Sequence, residues 1–75
     1  MFTTNDFGVH LKRLRKRAGL SQAELGHAIG RGQSAISGFE TGEMRPSAEN
    51  IAELANILDC TPTDFFLEAR QRLSA

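Results

Sequence analysis

Two glycine-punctuated helical segments, residues 21–30 and 33–42, constrain this chain more than any other feature. Ser21 followed three residues later by Glu24 is a helix start, because each side chain can satisfy a backbone N–H of the other. The helix begun there stops at Gly30, a residue suited to the left-handed position that closes a helix. A further helix is expected from Gln33 to Thr41, with Gly32 as a weak N-cap and Gly42 beyond its end. Leu25, Ile29, Ile36 and Phe39 are spaced to meet between two crossing helices. Gly26 falls where those helices pass closest, so that only a tiny side chain fits. With that apolar face turned inward, the later helix keeps Gln33, Ser34, Ser37 and Gly38 on its free side.

The flanking sequence supplies more helices and no strand. A first helix is expected from Asn5 or Asp6 to just before Gly19, with Phe7, Leu11, Leu14 and Ala18 on one face. Lys12, Arg13, Lys16 and Arg17 lie around its other faces. The loop 42–46 leads to Ser47, the expected N-cap of a fourth helix carrying the stripe Ile51, Leu54, Ala55 and Leu58. Thr61-Pro62-Thr63-Asp64 places a cap, a proline at the first helical position and an acid in the first turn, so a fifth helix is expected over about 62–73. No segment alternates with period two for long enough to be a strand. The expected fold is all-α, five short helices in one compact domain spanning residues 1–75.

Composition limits the class of partner. At 40% apolar residues the chain suits a small globular domain rather than disorder. A chain this short buries only about 60% of its unfolded surface, so it gains from dimerisation. The first ten residues include Asn5, Asp6 and Gly8 and lack the apolar run of a secretion signal. No stretch approaches the ~20 apolar residues that span a membrane. A single cysteine, Cys60, allows no internal disulfide and fits a reducing cytoplasm. Net charge is zero but unevenly spread. Residues 1–45 hold seven Lys/Arg against four Asp/Glu, a balance of +3, and residues 46–75 hold two against five, a balance of −3. A positive face can therefore exist on the half that carries the paired helices, suited to laying one helix across a nucleic-acid backbone and the next into a groove.

Together these residues resemble the lambda-repressor/Cro-like (XRE-type) helix-turn-helix DNA-binding family. The likeness runs over roughly residues 7–67 and rests on Leu14-Arg15, Gly19-Leu20-Ser21-Gln22, Glu24-Leu25, Gly30, Gln33-Ser34, Ile36-Ser37, Phe39-Glu40, Gly42 and Pro46. Ile51-Ala52-Glu53-Leu54-Ala55 and Asp64-Phe65-Phe66 resemble the family's fourth and fifth helices. The resemblance implies a compact five-helix domain with its helix-turn-helix at about 21–41. It places Gln33 and Ser34 at base-contacting positions, with Ser37 and then Gly38 beside them. At the start of a helix Gln33 could offer its amide bidentately to adenine N6 and N7. Gln22 opens a helix whose N-terminal N–H groups suit a DNA phosphate, and Arg31 and Arg45 bracket the recognition helix as phosphate contacts, with a groove as the alternative target of Arg45. Arg13, in the basic run of the first helix, adds attraction for phosphates. Arg15 is expected by resemblance to pair with Glu40 and lock the recognition helix to the first. Arg31 departs from the pattern, which has an apolar residue after the turn glycine, and Asp59 stands where glycine is common.

Phe65 and Phe66 lie about 100° apart on a helix, so one enters the core and the other lies outside with Ala69 and Leu73. That stripe is the expected interface of a symmetric homodimer, which would set its recognition helices about 34 Å apart on a palindromic site; the alternative is a monomer in which both phenylalanines pack internally. The expected function is a sequence-specific repressor acting on double-stranded DNA in the cytoplasm, associated with the nucleoid. The alternatives are an antitoxin with a toxin as protein partner, or a protein-interaction module of the same fold. No enzyme is expected, since Ser34 and Ser37 lack a histidine base, and Gly30-x-Gly32 follows no strand. His10 and His27 have no ligands at metal spacing, so no metal and no cofactor are expected.

Overall fold

The structure, a computed structural model, describes residues 4–66. Its elements are α1 (Thr4–Arg17), α2 (Gln22–Ala28), α3 (Gln33–Thr41), α4 (Ala48–Ile57) and a 3₁₀ turn at Pro62–Phe65. Among the described residues all regular structure is helical.

Local chemistry sets the helix starts. The Glu24 N–H donates to Ser21 Oγ at 3.0 Å, and the Ser21 N–H donates to Glu24 Oε1 at 2.7 Å. The same exchange opens α4, where Asn50 takes the place of the glutamate and trades bonds of 3.0 and 3.2 Å with Ser47. Gly32 caps α3 with no side-chain bond, as its missing side chain requires.

Three helices end in one geometry. The Gly19 N–H bonds to Lys16 O and the Leu20 N–H to Arg15 O after α1; the Gly30 N–H bonds to His27 O and the Arg31 N–H to Gly26 O after α2. These paired bonds form the Schellman closure, which needs a left-handed residue, and both glycines have positive φ, 76° and 71°. After α4 the closing residue is Asp59, at φ 55°, with its N–H on Asn56 O and the Cys60 N–H on Ala55 O. An aspartate can hold that conformation, at a cost that glycine escapes.

Phe7, Leu11, Leu14, Leu25, Ile29, Ala35, Ile36, Phe39, Leu54, Ala55, Leu58 and Phe65 form the core. Each large side chain buried there contributes about 1.5–3 kcal/mol. Two glycines make the packing close. A Cβ on Gly8 would stand 2.3 Å from the Glu40 carbonyl oxygen, and one on Gly26 would stand 2.5 Å from the Gly32 carbonyl oxygen. The first lets α1 cross α3 backbone to backbone, and the second seats α2 against the start of α3. Ala18, expected on the inner face of α1, is exposed, because α1 ends at Arg17 and the chain turns at Gly19. Ile51 is half-buried against the core.

Over the described residues 62–66 the expectation of a fifth α-helix is corrected; the rest of its expected span lies outside the described residues. The segment after Thr61 winds as 3₁₀, with the Asp64 N–H on Thr61 O at 3.0 Å and the Phe66 N–H on Thr63 O at 2.9 Å. The Asp64 carboxylate turns back to accept from the Thr61 N–H at 2.9 Å and its hydroxyl at 3.2 Å. The expectation that one phenylalanine lies outside is also corrected: both pack on Phe7, Phe65 with ring centres 5.1 Å apart and Phe66 with 5.7 Å, and Phe66 is packed against the core. Phe65 is fully buried and Phe66 half-buried. Ala69 and Leu73 lie outside the described residues.

Candidate nucleic-acid interface

The core holds α3 by Ala35, Ile36 and Phe39, and so leaves the opposite side of its first turn outward. Gln33 and Ser34 are exposed there, and Ser37, one turn on, is half-buried. The close approach of Gly26 to the backbone of Gly32 and Gln33 fixes where that turn begins. A polar first turn on a rigidly seated helix is what reading a groove requires.

A hydrogen-bonded chain ties this turn to the interior. Arg15 Nε donates to Glu40 Oε2 at 2.6 Å, and Nη2 donates to Oε1 at 3.2 Å, a two-pronged ion pair joining α1 to α3. The third arm, Nη1, donates to the Leu20 carbonyl at 2.8 Å. Their side chains are only 9% and 4% exposed. Glu40 Oε1 also accepts from Gln22 Nε2 at 3.0 Å, and Gln22 Oε1 in turn accepts from Gln33 Nε2 at 3.4 Å. An ionised carboxylate can only accept, so Gln22 must turn its NH₂ inward and its oxygen toward Gln33. Gln33 then spends one N–H on Gln22 and keeps its second N–H and its oxygen, one donor and one acceptor side by side. Among the described residues no buried side-chain nitrogen or oxygen lacks a partner.

The three candidate arginines are all exposed. Arg31 is exposed just past the α2 turn, and Arg45 is exposed in the loop after α3. Arg13 is exposed on α1, its Nη2 2.9 Å from His10 Nδ1. Gly38 does not join the exposed face: it is buried beneath the side chain of Met44. The reason is the loop, which folds back so that the Gly42 and Met44 N–H groups both donate to Gly38 O, at 3.1 and 3.0 Å. No periodicity links residue 44 to α3, so sequence reasoning passed over Met44. The Gln22–Gln33 bond was missed as well, although two glutamines opening consecutive helices were a visible sign of it.

Among the described residues no group of His, Cys, Asp and Glu could hold a metal ion, and no helix is long and apolar enough to cross a membrane. Burial pushes the Cys60 thiol above its ordinary pKa; Asp64 and Asp59 add to the rise and Arg17 opposes it.

The family model described as Helix-turn-helix matches residues 11–65. Repressor protein C2 of Salmonella phage P22 is 35% identical over 65 residues, which are 87% of this chain and 30% of that protein. The chain thus spans less than a third of that relative's length. The restriction-modification controller protein C.AhdI from Aeromonas hydrophila superposes with a TM-score of 0.79 at 38% identity, over 84% of this chain and 96% of that one. The P22 c2 repressor, in complex with a synthetic operator, superposes with a TM-score of 0.75 at 33% identity, over 80% and 91% of the two chains.

Proposed function

The chain belongs to the helix-turn-helix family, and on that premise we propose that it is a sequence-specific repressor that binds a palindromic operator in double-stranded DNA as a homodimer. The observation that carries this reading is the bonded row Arg15–Glu40–Gln22–Gln33, which holds one exposed amide in a set direction at the start of α3. Adenine presents an acceptor, N7, beside a donor, the N6 amino group, in the major groove. The free N–H and oxygen of Gln33 match that pair. Ser34 and Ser37 reach neighbouring base edges. Arg31, Arg45 and Arg13, with Gln22, meet the phosphates and set the register.

Dimerisation through Phe66, Ala69 and Leu73 doubles these contacts and gives the site its symmetry. Selection of bound sites from a random duplex library is expected to return an inverted repeat with half-sites about one duplex turn apart. Arg13, Arg31 and Arg45 of two protomers set a salt slope of about −5 in log K against log salt. A protein that ignores all duplexes at low salt refutes the proposal, and a monomer on the selected site refutes its dimeric part.

A further inference from the structure

Residues 33, 34, 37 and 38 follow one another on a single face of α3. At the fourth of these positions the helix has no side chain, and Met44 takes up the space. A Cβ on Gly38 would lie 2.7 Å from Met44 Cγ, 2.8 Å from Sδ and 3.1 Å from Cβ. The loop is anchored there by the bond from the Met44 N–H to Gly38 O. Met44 is only half-buried, and its remaining surface borders an open pocket of about 380 Å³ shared with Gly30, Arg31, Gly32, Ser34 and Ala35. An apolar, polarisable group therefore stands beside Ser34 on a face that is otherwise polar.

We propose that Met44 is a specificity-determining residue, whose thioether packs against the 5-methyl group of a thymine in the major groove. This rests on the DNA-reading function proposed above. Of the four base pairs' major-groove edges, only those containing thymine carry an apolar group, so an apolar wall there has one natural counterpart. Methionine suits such a contact because its unbranched, polarisable side chain adapts to an irregular surface. The geometry divides the reading of the site between two elements. Gln33 and Ser34 read from the helix, and Met44 reads from the loop in place of the side chain that Gly38 lacks.

The test uses the full chain and its selected duplex. Each thymine is replaced in turn by deoxyuracil, which pairs identically and lacks only the methyl group. The wild type is expected to lose about fourfold in affinity at one thymine per half-site, the worth of one buried methyl-sized group. Met44→Ala is expected to bind the thymine and uracil duplexes equally at that position while keeping its response elsewhere. Gly38→Ala supplies a second route, because its new Cβ pushes Met44 aside while alanine favours the helix. It is expected to lose the same discrimination without losing its fold. If both variants keep the wild-type thymine-to-uracil ratio at every position, or if no methyl matters to the wild type, the assignment is wrong. A wild type that binds no duplex overturns the regulator reading itself, and this inference with it, so the two failures are distinct.

Discussion

Removing Arg15 or Glu40 singly should unsettle the whole domain, because each would strand the other's charge. In Arg15→Met the Glu40 carboxylate, 4% exposed, keeps only the Gln22 amide, and the Leu20 carbonyl loses its donor. Breaking a buried pair from one side costs about 3–5 kcal/mol. A 75-residue domain holds only about 4–11 kcal/mol in total. Each single variant should therefore melt at least roughly 12 °C lower. Joining Arg15→Met with Glu40→Leu leaves no buried charge unpaired, only the Leu20 carbonyl and the Gln22 amide short of a partner, and that double variant should recover to within about 2 kcal/mol of the parent. Urea unfolding followed by circular dichroism on all four proteins measures the coupling. If the two losses simply add, or either single variant unfolds like the parent, the pair does not lock α1 to α3. The recovered double variant has a further use. Gln22 has lost its acceptor-only partner there, so the preferred duplex should be bound less well while random DNA is little affected.

Other substitutions probe separate links. Gln33→Ala should weaken binding to the preferred site more than to random DNA, whereas Arg45→Ala should weaken both alike, as fluorescence anisotropy on the two duplexes can show. Gly8→Ala must part α1 from the α3 backbone at Glu40 and should cost about 1–3 kcal/mol in urea unfolding, despite alanine's better helix propensity. Asp59→Gly relieves a left-handed aspartate and should raise stability by up to about 1 kcal/mol, read as a higher urea midpoint. The Cys60 thiol should react slowly with iodoacetamide at neutral pH compared with the urea-unfolded chain, since burial favours its protonated form. Because the unfolded thiol loses its proton first, stability should fall as pH rises beyond the ordinary thiol range of about 8.5, and Cys60→Ala should flatten that fall.

Helix starts and stops were legible in the sequence because they are local. Ser21 with Glu24 and the turn at Gly30 involve groups no more than five residues apart, so residue type alone specifies the bond. The core was legible for a similar reason: helical periodicity puts Leu11, Leu25, Ile36 and Leu54 on inner faces before any packing is known. The Arg15–Glu40 pairing came through family resemblance, since 25 residues separate its partners. Only the tertiary structure decided what depends on where two elements cross. It put Gly8 against the α3 backbone, covered Gly38 with Met44 and linked Gln22 to Gln33. It also drew Phe65 and Phe66 together onto Phe7 as the chain after Thr61 wound into a 3₁₀ turn. A residue's type states which bonds it can make, and the crossing of helices brings a distant partner within reach.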